Sequence, residues 1–116
     1  MKAFLIDPDA ETITVVEQNG LEDIYKLLDC RRITTAAIGA DDVIYLDDEI
    51  LDADPLPASF MFGSNPAPMV GKGLCVGSDD EGNDDVPAHG IIQLTARIKW
   101  LGIQRIEPDI DFIPFT

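Results

Sequence analysis

The sequence predicts an α+β fold, a single antiparallel sheet of about five strands with about two helices packed on it, and residues 1–116 forming one small acidic domain. Three observations carry this. Short runs rich in β-branched or apolar residues recur at hairpin spacing, first KAFLID (2–7) and then TITVVE (12–17). Residues 19–30 instead place apolar side chains at helical spacing. The chain has 116 residues, of which 46% are apolar, which is enough for one core.

The first strand covers Lys2 to Asp7. Asp7-Pro8-Asp9-Ala10 is a turn, because Pro8 presets φ and the Asp side chains can accept from the local backbone. Thr12 to Glu17 returns as the second strand. Asn19 is expected to cap a short helix, with Glu22 in the capping-box position. Leu21, Ile24, Leu27 and Leu28 would form its apolar face, and Arg31 and Arg32 would follow its negative end. Ile33–Ile38 and Val43–Leu46 are the next two strands, joined by a turn at 39–42. Residues 47–54 read as an acidic turn, SFMF (59–62) as a short strand, 63–69 as an ordered loop and GLCVG (73–77) as a buried strand.

Two patterns compete between residues 87 and 106. Ile92, Leu94, Ala96, Ile98 and Trp100 alternate with polar residues, as in a strand. Ile91, Leu94, Ile98 and Leu101 fit one helix face. The end signals favour a helix, with Pro87 at its first position, Asp84 or Asp85 as cap and Gly102 beyond its end. Residues 103–115, broken by Pro108 and Pro114, are expected to form an edge strand or a strap. Trp100 is expected in the core. Phe112 and Phe115 could anchor a dimer, although burial within the same domain is preferred, so a homo-oligomer stays open.

Charge narrows the function. The chain has 22 acids against 8 bases, a net charge of −14. Residues 33–96 hold twelve of those acids and one base, Lys72. Direct binding to nucleic acid or to an anionic membrane requires the opposite sign. No apolar run has the length of a membrane helix, and MKAFLIDPD lacks signal-peptide character, so the expected compartment is the cytosol. Cys30 and Cys75 stand in no C-x-x-C pair and are expected as reduced, buried small hydrophobes.

Several chemistries fail on spacing. A calcium loop starting at Asp79 would need Gly at its sixth position and Glu at its twelfth, where Asp84 and Gly90 stand. The GKG at 71–73 lacks the spacing and the Ser/Thr of a phosphate loop. Two cysteines and one histidine are too few and too scattered for a zinc site. His89 could serve as a general base, but no serine stands in a nucleophile-elbow context and Cys75 lies in an apolar run. No catalytic residue, metal ligand or cofactor is therefore assigned.

KAFLID at the start, VIYLDDE at 43–49 and GKGLCVGSDDEGN at 71–83 together resemble a family of small uncharacterised domains. Its members occur in phage, prophage and plasmid genomes and in bacterial chromosomes. The resemblance covers most of residues 1–101. It implies no established activity, and it points toward an accessory protein of a mobile element.

The remaining candidate is a surface. Asp41, Asp42, Asp47, Asp48 and Glu49, with Asp52 and Asp54 after them, form one acidic group, and Asp79, Asp80, Glu81, Asp84 and Asp85 form another. Each has a plain reading as a solvated turn, with Gly82-Asn83 suited to a hairpin tip. The functional expectation is a non-enzymatic module that binds a basic protein partner through these carboxylates, imitating the charge of nucleic acid. The alternative is a divalent-cation-dependent module or small enzyme that uses the 79–85 turn.

Overall fold

The computed structural model describes residues 1–38, 41–53, 56–63, 67–79 and 84–102. The expected strap at 103–115 lies outside them, as do the tip of the acidic turn at 80–83 and part of the expected 63–69 loop. The strands are β1 (Lys2–Asp7), β2 (Thr12–Glu17), β3 (Ile33–Ala37), β4 (Asp42–Asp47), β5 (Ser59–Phe62), β6 (Met69–Val70), β7 (Gly73–Ser78), β8 (Asp84–Asp85) and β9 (Ile98–Gly102). The helices are α1 (Leu21–Leu28) and α2 (Ile91–Arg97), with a single 3-10 turn at Ile50–Asp52.

These strands make two antiparallel sheets rather than one. The larger runs β2-β1-β7-β4-β3, with the short β8 also paired to β7, and the smaller runs β6-β5-β9. The α+β class stands, and the expectation of a single sheet is corrected. Residues 59–70 supply a second sheet because their Pro and Gly breaks leave only short strands. These pair with one another and with a strand from the far end of the described chain.

Side-chain alternation divides the core across the large sheet. On one face Ala3, Leu74 and Val76 pack with Ile24 and Leu28 of α1. On the other, Phe4, Ile6, Ile44 and Cys75 pack with Phe60, Phe62 and Met69 of the small sheet and Leu94 of α2. β7 lies at the centre between β1 and β4, which is why GLCVG is apolar on both faces. Gly73 sits where Phe60 of the small sheet packs close against the large sheet. A Cβ there would lie 2.8 Å from Ile44 Cγ2 and 3.0 Å from Phe60 Cζ.

The first hairpin forms as expected. Asp7 Oδ1 accepts from the amides of Asp9 (3.1 Å) and Ala10 (3.3 Å), closing the turn. Helix α1 is capped differently from expectation. Gly20, not Asn19, occupies the cap position, and Asp23 reaches back to the Asn19 amide at 2.8 Å. The Asn19 side chain is engaged elsewhere, accepting from the Met1 ammonium at 3.1 Å. Leu21, expected on the apolar face, is exposed at the first turn.

The competition at 91–101 is resolved by using both patterns in succession. Ile91–Arg97 is helical with Leu94 buried, and Ile98–Gly102 is a strand whose Ile98 and Trp100 pack on the core. Trp100 meets Phe60 edge-on, with ring centroids 6.4 Å apart. The helix begins at Ile91, after Gly90, four residues later than Pro87 suggests. Asp85 does not cap it, because its Oδ1 accepts from the adjacent Val86 amide at 2.8 Å.

Candidate functional site

The most organised polar group in the described chain is built on Asp42, the first residue of β4. Its parity places it on the same face as Ile44, and its side chain has no solvent exposure. The carboxylate accepts from the backbone amides of Ala88 (2.7 Å) and His89 (2.9 Å), and its Oδ2 lies 2.6 Å from His89 Nδ1. Two backbone donors and a ring nitrogen thus satisfy a buried charge that would otherwise be costly to desolvate.

The local fold explains the meeting. Asp42 pairs with Gly77 in the β4–β7 ladder, and Gly77 pairs with Asp85 on its other side. The chain then crosses close above Gly77, where any Cβ would overlap the Val86 carbonyl. Only glycine leaves room for residues 86–89 to drop onto Asp42.

With Nδ1 held by the carboxylate, the His89 ring has one orientation and presents Nε2 as its second functional atom. Phe62 packs edge-on against the imidazole with centroids 5.6 Å apart. The Arg97 guanidinium lies over the same Phe62 ring, 5.8 Å from its centroid. Among the described residues, Ala88, His89, Gln93 and Arg97 line an open recess of about 280 Å³ beside this cluster.

The sequence-derived surface is divided by the structure. Asp42 was expected among solvated, partner-binding acids, and this is corrected: it is buried because its carboxylate holds the 88–89 turn. Asp41 is exposed at the same end of β4, with its carbonyl accepting from the Ser78 amide at 2.7 Å. Asp79 and Asp85 are also exposed there, carried by the β7–β8 pair. Asp84 lies in β8, while Asp80 and Glu81 lie outside the described residues. Asp41 therefore belongs with the second acidic group rather than with the acids that follow it in sequence.

Asp47, Asp48 and Glu49 sit at the opposite end of β4, ~17 Å away along an extended strand. Asp48 is exposed and Asp47 and Glu49 are half-buried. Glu49 pairs with the exposed Arg31 at 3.2 Å. Asp29, Asp47, Glu49 and Asp52 share a recess of about 400 Å³ with Cys30. Burial, and next the charge of Asp47, raises the Cys30 thiol above its ordinary range. Cys75 is fully buried and its thiol is pushed up to about 12 by desolvation, with the Asp42 charge adding to it. It is held as the thiol, the poorly nucleophilic form, at neutral pH. Both cysteines are free.

Among the described residues no three His, Cys, Asp or Glu side chains are placed to hold a metal ion. No helix among them is long and apolar enough to cross a membrane.

Sequence reading missed the Asp42–His89 pair. Forty-seven positions separate the two residues, and the available signal was Gly77 inside an apolar strand, which marks a close backbone approach.

The chain belongs to a family of uncharacterised domains: residues 1–99 match the domain of unknown function DUF3846. The match spans the Asp42 clamp and the recess beside it. The chain is also 34% identical over 80 residues to the uncharacterized protein y4iR of Sinorhizobium fredii (strain NBRC 101917 / NGR234), covering 66% of this chain and 49% of that protein. It thus spans about half the length of that relative. No solved structure matches the chain.

Proposed function

We propose that this domain is a non-enzymatic interaction module that binds a basic protein surface through the end of the large sheet where Asp41, Asp79 and Asp85 are exposed. The observation that supports this is the regrouping of acids distant in sequence. The β4–β7–β8 ladder brings these carboxylates to one end of the large sheet, with Asp85 paired in β8, the Asp41 carbonyl accepting from Ser78, and Asp79 directly following β7. Surface carboxylates that need no reordering bind at lower entropic cost and steer an oppositely charged partner.

The finer reading is that these acids stand in for the phosphates of nucleic acid and occupy the basic groove of a host regulatory or defence protein, as an accessory protein of a phage or plasmid would. The net charge of −14 and the resemblance to mobile-element domains support it. The test compares two triple substitutions. Asp41→Asn/Asp79→Asn/Asp85→Asn should lose a partner captured from bacterial lysate by the tagged wild-type protein. Asp47→Asn/Asp48→Asn/Asp52→Asn, at the far end of β4, should retain it. Equal loss from both, or from neither, would contradict the assignment.

A further inference from the structure

We propose that the recess between the 88–89 turn and helix α2 is a binding site for a single oxyanion, a carboxylate or phosphate group, held by His89, Gln93 and Arg97. The lining chemistry is the first argument. The chain has 22 acids and 8 bases, yet no carboxylate of a described residue lines this recess. Of its three polar side chains, Gln93 and Arg97 offer N–H donors outright, while His89 Nδ1 is already engaged by Asp42. A cation would find no charged oxygen ligand there, and an apolar ligand would desolvate a guanidinium without replacing its water.

Preorganisation is the second argument. Asp42 fixes the imidazole through Nδ1 at 2.6 Å and fixes its backbone through the 88 and 89 amides. Phe62 supports both the His89 ring and the Arg97 guanidinium. The Arg97 backbone is tied as well, its carbonyl accepting from the Gly63 amide at 2.8 Å. Gln93 Oε1 accepts from the Gly90 amide at 2.9 Å, which leaves the side-chain NH₂ to donate. Arg97 offers a planar fork that matches a carboxylate or a phosphate edge. His89 adds a donor through Nε2 when its ring is protonated, with Asp42 as the counter-charge behind it. The site is independent of the acidic end, since neither His89 nor Arg97 belongs to it.

The test uses the full chain labelled with ¹⁵N, with inorganic phosphate and acetate as separate probes against a sodium chloride control of matched ionic strength. The expected result is saturable shifts of the His89 ring and Arg97 Nε–H signals at ~millimolar anion. The His89 ring shifts should be lost in Arg97→Gln and Gln93→Leu, and restored in part by Arg97→Lys; the Arg97 Nε–H signal is followed in the wild type and in Gln93→Leu. Saturation by phosphate alone assigns a phosphate group, by acetate alone a carboxylate, and by both the shared chemistry. Shifts that track the chloride control, or that saturate equally in Arg97→Gln, would overturn the proposal. Arg97 is exposed, so its substitution leaves the fold intact, and the unshifted remainder of the spectrum verifies this.

Discussion

Asp42 Oδ2 lies 2.6 Å from His89 Nδ1, and the same carboxylate accepts two backbone amides from the turn that carries the histidine. One buried side chain thereby sets the position of the 86–90 segment, the start of α2 and the orientation of the only imidazole. Removing it leaves donors without a partner in a dry environment. Asp42→Ala should cost about 3 kcal/mol of stability in urea unfolding, with Asp42→Asn costing less because it keeps one acceptor oxygen. A loss below about 0.5 kcal/mol for the alanine variant would mean the clamp carries little of the fold.

Gly77→Ala should be nearly as damaging by another route. The added methyl would collide with the Val86 carbonyl, so the 86–89 segment must lift from Asp42. The expected cost is about 2 kcal/mol. Amide exchange at Ala88 and His89 should quicken more than at Leu74, which stays buried at the centre of the sheet. Uniform acceleration would show that the strain spreads through the sheet instead.

Five strands of the large sheet, β1, β2, β3, β4 and β7, were legible in sequence because each hydrophobic run has a period and a bounded length, whereas β8 lies in a stretch of carboxylates that reads as a turn. TITVVE and GLCVG alternate or fill as their places at the edge and the centre of the sheet require. The second sheet was not legible, since pairing Phe60 with Trp100 joins residues whose separation no local pattern encodes. The burial of Asp42 was hidden for the same reason: beside Asp41 it reads as one more solvated acid, and only the chain crossing above Gly77 gives its carboxylate partners. At 91–101 both periodicities were present in the sequence. The change from helix to strand falls at Ile98, whose backbone is extended while its amide still bonds Leu94.

Cys75 should resist alkylation in the native state at about pH 8, with Cys30 reacting first because it is only half-buried. The folded thiol of Cys75 titrates near 12 against an ordinary value of 9.0. The unfolded chain therefore loses this proton first. The stability linked to it is complete below about pH 9 and falls as pH rises toward 12. Unfolding of Cys75→Ala should show a flatter alkaline limb than wild type. An identical limb would place the pH dependence on other groups.

Phe60 is fully buried between the two sheets and touches Trp100 edge-on. Phe60→Ala should cost about 3–5 kcal/mol and quench or shift the Trp100 fluorescence that reports on this contact. A normal emission spectrum with normal stability would show that the small sheet does not depend on this ring.

The claim that Asp41, Asp79 and Asp85 form a binding end is tested most directly by the association rate of the captured partner as a function of salt. Steering by surface carboxylates is screened within ~8 Å at physiological ionic strength. The expected result is an association rate that falls roughly tenfold or more between low and high salt. It should start lower in Asp41→Asn/Asp79→Asn/Asp85→Asn, whose melting temperature should stay within roughly 3 °C of wild type. A rate that is flat in salt, or equal in the wild type and the triple variant, would contradict it.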